Sequence, residues 1–129
     1  MKLKNLEIDA LYNALKDIAN GEAVFSAEAG FKILDNISLL QRPEQVYGDA
    51  VKRTIQKYSS DGKVSKDKNP DAFKKCKEEL DELKLIESEV DIRMLEAAET
   101  AEAKLPMKQM FALKMITKEE EENGKNCAA

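Results

Sequence analysis

The sequence predicts a mainly α fold: a long antiparallel helical hairpin, with flanking N- and C-terminal helices and a minor β element. Three observations predict it. Glycine and proline are few, five and three in 129 residues, and they fall between periodic segments. Lys, Glu, Leu and Ala are abundant, and these side chains lose little freedom on entering a helix. Apolar residues recur at steps of three and four along most of the chain, which places them on single helix faces.

The first helix runs from Asn5 to Asn20, with Ile8, Leu11, Leu15 and Ile18 as its apolar stripe and Asn20-Gly21 as its stop. After a short apolar break at Glu22 to Phe25, Ser26 caps a second helix, with Glu28 in its first turn. Phe31, Leu34, Ile37 and then Leu40 or Gln41 are its expected inward positions. Pro43 suits either a kink or the first turn of a new helix, so one long kinked helix or two helices run to Tyr58. The stretch from Ser59 to Val64 has turn chemistry.

Asn69-Pro70-Asp71 starts the returning helix, with Asn as cap, Pro at the first position and an acid in the first turn. Phe73, Cys76, Leu80 and Leu83 form its near-heptad seam. Val90, Ile92 and Met94 then alternate with Asp91, Arg93 and Leu95, the pattern of a short strand. Its candidate partners are Glu22 to Phe25, the Lys63-Val64 stretch, or the same strand of a second copy. The Ala- and Glu-rich segment from Ala97 to Lys104 reads as a helix or a connection. Leu105-Pro106 opens the last helix, where Leu105, Met107, Met110, Phe111 and Met115 form a packed face closing the core or, alternatively, the Met-rich helix is an adaptable partner-binding surface. Residues 1–122 are expected to form one helical domain, followed by a flexible polar tail over 123–129.

Composition excludes several chemistries. The chain has no His, which removes Ser-His-Asp and Cys-His sites, His-containing zinc sites and a histidine proton shuttle. Its formal charge of −4 argues against a general nucleic-acid coat. No run reaches the roughly 18–20 apolar residues of a membrane span, and the N-terminal segment lacks the apolar stretch of a secretory signal. A cytoplasmic protein follows, and Cys76 and Cys127 fit that as unpaired thiols, with Cys76 a small core residue.

The charge is strongly segregated. From Lys52 to Lys77 there are nine basic residues against three acids, a net of +6; from Glu78 to Glu102, ten acids against two bases leave −8. In a hairpin the basic stretch gathers near the tip, and Arg53, Lys57, Lys63, Lys66 and Lys68 are the candidate ligand-binding residues for a phosphorylated ligand. The alternative is a solvated surface. A calcium loop around Asp61-Gly62 fails, because Lys57 and Lys68 would occupy the first and last ligand positions. There is no Gly-rich phosphate loop, no Cys pair at metal spacing and no nucleophile with an activating base. The protein is therefore expected to be no enzyme and to need no cofactor or metal.

The segment order carries a resemblance. A short N-terminal helix, the Gly30-Phe31-Lys32-Ile33-Leu34 helix, a helix ending in Lys57-Tyr58 and the Asp61-Gly62-Lys63 turn come first. An acid-rich helix, Val90-Asp91-Ile92 and a Leu-Pro-led helix ending in Glu119 to Glu122 follow. Over residues 1–122 this resembles a group of short helical proteins encoded in phages and prophages of bacteria. The chain departs from that pattern at Glu22 to Glu28, where the group tends to show a Leu-Pro-Val-like lead-in. The resemblance implies phage origin and no chemistry. Together with the charge pattern, it leads us to expect a binding protein antagonising a host defence by stoichiometric capture of a defence protein or a nucleotide signal. A virion or tail-assembly component acting by self-association is the alternative. The thin aromatic content and the lone strand also predict a homo-oligomer, a dimer or higher.

Overall fold

The computed structural model describes residues 1–59, 64–101 and 103–118. In chain order the elements are β1 (Lys2–Lys4), α1 (Asn5–Ala19), α2 (Ala27–Tyr58), α3 (Pro70–Leu85), β2 (Glu87–Glu89), α4 (Ala97–Thr100) and α5 (Met107–Met115). The fold is mainly helical, with a long hairpin, flanking helices and a two-stranded antiparallel sheet. The residues group into two compact units, 1–9 with 40–90 and 10–39 with 91–129, and both α1 and α2 run through the two.

The first unit is built around the hairpin. Pro43 lies inside the continuous helix α2, so it starts no new helix. Its ring removes the N–H that would bond the Leu39 carbonyl, and the uninterrupted helical bonding on either side carries the chain past the gap. Asn69 caps α3 by accepting from Ala72 N at 3.2 Å, with Pro70 at the first position. Along the α3 seam Cys76 is buried, and Phe73, Leu80 and Leu83 are half-buried.

β1 pairs with β2 in the register Lys2 to Glu89, Leu3 to Ser88 and Lys4 to Glu87. Opposite charges face each other at both outer pairs, which favours this register, and Leu3 between them points into the core. Asn5 closes the unit: its amide Nδ2 donates to Leu83 O at 2.7 Å, and its backbone N donates to Ile86 O at 2.9 Å.

The strand expected at Val90 to Leu95 does not form. The chain pairs just upstream, at β2, and its partner is the N-terminal segment, which was none of the three candidates. The edge at Lys2–Lys4 supplies complementary charge, and Val90 extends the pairing by exchanging backbone bonds with Met1. Beyond it the backbone is held by Asn36 at Arg93 and by Ile116 and Lys118 at Leu95. Because β2 has this internal partner, the strand gives no reason to invoke a second copy.

In the second unit the α1 residues Leu11, Leu15 and Ile18 are buried, as their spacing predicts. Asn20 N donates to Lys16 O and Gly21 N to Ile18 O as the helix ends. At Gly21 a side chain would stand 3.2 Å from the Asp17 carbonyl oxygen, so close approach is what favours glycine there. Ser26 Oγ accepts from Ala29 N at 3.1 Å and caps α2.

The buried stripe at the start of α2 is rotated from the expected one. Ala29, Ile33, Asn36 and Leu40 face inward, while Phe31 and Leu34 are 59% and 60% exposed. The far end of this unit is stapled by Leu95, whose N donates to Ile116 O at 2.7 Å and whose O accepts from Lys118 N at 2.8 Å. Leu95 and Ile116 are both fully buried there.

Candidate functional site

Among the predicted ligand residues, Arg53 and Lys57 stand one turn apart on α2, and Lys66 and Lys68 lie in the turn before α3. Lys63, together with Asp61-Gly62, lies outside the described residues. Lys57 is already matched by a carboxylate: its Nζ stands 3.2 Å from Glu79 Oε2. The Tyr58 hydroxyl donates to the same carboxylate oxygen. These bonds hold the Glu79 carboxyl below its ordinary value, first through Tyr58 and then through Lys57, with burial opposing them. They raise Lys57, chiefly through the bond to Glu79. Arg53, Lys66 and Lys68 are exposed and make no ion pair among the described residues. Of the four described candidates, Lys57 is therefore the one already engaged by a carboxylate.

The acidic run is likewise divided. Glu79 serves Lys57 and Tyr58, Asp81 pairs with Lys84, Glu96 with Lys118 and Glu99 with Lys32. Glu102 and Glu119 to Glu122 lie outside the described residues, as do Cys127 and the 123–129 tail. The Glu99 carboxylate accepts from Glu96 N at 2.8 Å and from Lys32 Nζ at 3.0 Å. Its pKa is lowered by those two bonds in that order, and Lys32 is raised mainly by the Glu99 bond. These four acids are thus engaged within the fold.

Arg93 is held by three residues of α2, Phe31, Asp35 and Asn36. The Asn36 carboxamide takes both of its backbone groups, and the Asp35 carboxylate accepts from Nε. The guanidinium carbon lies 5.5 Å from the centre of the Phe31 ring, within cation–π range. No spacing rule in the sequence points to this arrangement, because it joins a helix face to an irregular segment far along the chain.

α5 is apolar on both faces. Ala112, Leu113 and Ile116 anchor one face in the core. On the other, Met107, Met110, Phe111 and Lys114 follow at helical spacing and, with Leu113, Thr100 and Thr117, line an open cleft of about 260 Å³. Met107 is 74% exposed and Phe111 63%. The helix is thus packed on one side and open on the other: the expected packed face of Met107, Met110, Phe111 and Met115 is exposed, and Ala112, Leu113 and Ile116 are buried in its place. The signal was in the sequence: two apolar stripes on one short helix cannot both face a single core.

A second open apolar cleft, about 210 Å³, lies where α1 passes into α2. Ile18, Ala23, Phe25, Gly30, Ile33 and Leu34 line it. Sequence reasoning missed this cleft, since it placed Leu34 in the core.

Among the described residues no three His, Cys, Asp or Glu side chains are grouped to hold a metal ion, and no helix is long and apolar enough to cross a membrane. Comparison with protein-family models, curated proteins and solved structures gives no match, so the geometry of these surfaces carries the functional argument.

Proposed function

We propose that the protein is a non-catalytic binding protein that captures a partner protein stoichiometrically through the exposed stripe of α5. Its setting on this reading is the host cytoplasm, where a phage-encoded factor antagonises a bacterial defence. The observation that carries the binding role is the stripe itself. Met107, Met110 and Phe111 hold large apolar surface in water on a helix whose other face is anchored by Leu113 and Ile116. Covering such a surface contributes roughly 25 cal/mol per Å² removed from water. Methionines add the capacity to conform to varied partner shapes. The phage setting is supported by the resemblance in segment order alone.

Capture of a nucleotide signal would instead draw on Arg53, Lys57, Lys63, Lys66 and Lys68. The pairing of Lys57 with Glu79 favours the protein target over that branch. The virion or tail-assembly reading is favoured by a different observation, the opposite charges around the two apolar clefts.

The test is phage plating on bacteria carrying single defence systems, with the chain expressed in the host. Restored plating by the native chain, lost in a Met107→Glu/Phe111→Glu variant with an unchanged circular dichroism spectrum, is the expected result. Equal restoration by that variant would overturn the assignment to α5. Stoichiometric presence of the chain in purified virions would favour the assembly reading instead.

A further inference from the structure

The two open clefts differ in the charge of the segments that form them. Residues 17–28, which border the α1–α2 cleft, carry Asp17, Glu22 and Glu28 and no basic residue. Residues 103–118, which contain α5, carry Lys104, Lys108, Lys114 and Lys118 and no acid. Glu28 and Lys118 have partners within the chain, in Lys32 and Glu96. Asp17, Glu22, Lys104, Lys108 and Lys114 are exposed and make no ion pair among the described residues. One surface is therefore an apolar cleft with acidic flanks. The other is the open apolar face of α5 with basic flanks, where Met107 and Phe111 are largely exposed.

We infer that the basic-flanked α5 face of one copy of this chain docks into the acid-flanked α1–α2 cleft of a second copy. The apolar matching is direct: Phe111 and Met107 bring exposed apolar side chains to a cleft walled by Ile18, Phe25 and Leu34. Burying them removes the largest exposed side chains of α5 from water, and charges at the rim set orientation and the rate of encounter. The surfaces are different patches, so the contact is head-to-tail and leaves one free face of each kind on a pair. Successive copies then add to give a ring or a filament. The inference shares α5 with the proposed capture function. On that reading, self-association and target capture compete for one face.

The test is the solution mass of the full chain by light scattering, from low micromolar to several hundred micromolar. The mass is expected to rise above the 14.5 kDa of one chain with concentration, and to fall back as salt is added. A Lys108→Glu/Lys114→Glu variant and an Asp17→Lys/Glu22→Lys variant should each weaken association on the order of tenfold. Mixing the two variants should restore it, because the reversed charges again oppose each other; misfolded variants could not do this. A native chain that stays monomeric throughout, or variants that fail to pair on mixing, would overturn the inference. The Asp17→Lys/Glu22→Lys variant leaves α5 intact, so its activity in the plating assay separates failure of this contact from failure of the capture role.

Discussion

The Asn36 side chain pairs with the backbone of Arg93 in both directions: Nδ2 donates to Arg93 O at 3.0 Å, and Oδ1 accepts from Arg93 N at 2.8 Å. A carboxamide presents a donor and an acceptor side by side, as a neighbouring strand does. A helix side chain thereby takes the place of a strand partner for one residue. Between Val90, which pairs with Met1, and Leu95, which bridges to Thr117, the run has strand-like burial, with Ile92 and Met94 less exposed than Asp91 and Arg93, and Asn36 stands in for a strand at its middle.

Asn36→Leu should preserve volume but leave two Arg93 backbone groups without partners. The expected loss is roughly 2 kcal/mol, since each unsatisfied group costs about 1–3 kcal/mol at full burial. Urea unfolding of the two proteins measures it. A change under about 0.5 kcal/mol would mean that water replaces the amide without cost.

Pro43→Ala should stabilise the protein. It restores an N–H for the Leu39 carbonyl inside α2, at a position only partly buried. The gain is expected on the order of 1–3 kcal/mol, less the entropy that alanine returns to the unfolded chain. An upward shift of the thermal midpoint is the readout.

The two faces of α5 should respond oppositely to substitution. Leu113→Ala truncates a buried side chain and should cost about 2–5 kcal/mol. Phe111→Ser, on the exposed face, should change stability by less than about 0.5 kcal/mol. Parallel denaturant titrations distinguish them, and similar losses at both positions would place Phe111 in the core.

Stability should fall in acid partly through Glu79. Its folded pKa is depressed, first by the Tyr58 hydroxyl, so its contribution is complete above the ordinary value of 4.5 and is lost as pH falls through the lower folded value. The Tyr58 phenol is raised by the same bond, so its share is complete below 10.0 and disappears as pH rises through the higher folded value. Glu79→Gln should therefore flatten both limbs of a plot of thermal midpoint against pH. Unchanged limbs would show that the carboxylate is solvated in both states.

Helical identity was legible from local chemistry. The stripe from Ile8 to Ile18, the Ser26 and Asn69 caps and the Phe73–Leu83 seam each rest on spacings within a few turns, and each lies where those spacings put it. The face of α2 was less legible. Phe31 and Leu34 are more apolar than Asn36, and only the distant Arg93 backbone makes the buried position a polar one.

What the sequence by itself determined is the helical class, the stripe of α1, the Ser26 and Asn69 caps and the exclusion of histidine chemistry, because caps, periodicity and composition act within a few residues. Tertiary structure alone decided which strand edge pairs with which, which acids neutralise Lys57 and Lys32, and which face of α5 stays open. These depend on groups brought together from opposite ends of the chain, where charge, hydrogen bonding and burial are settled by proximity in space.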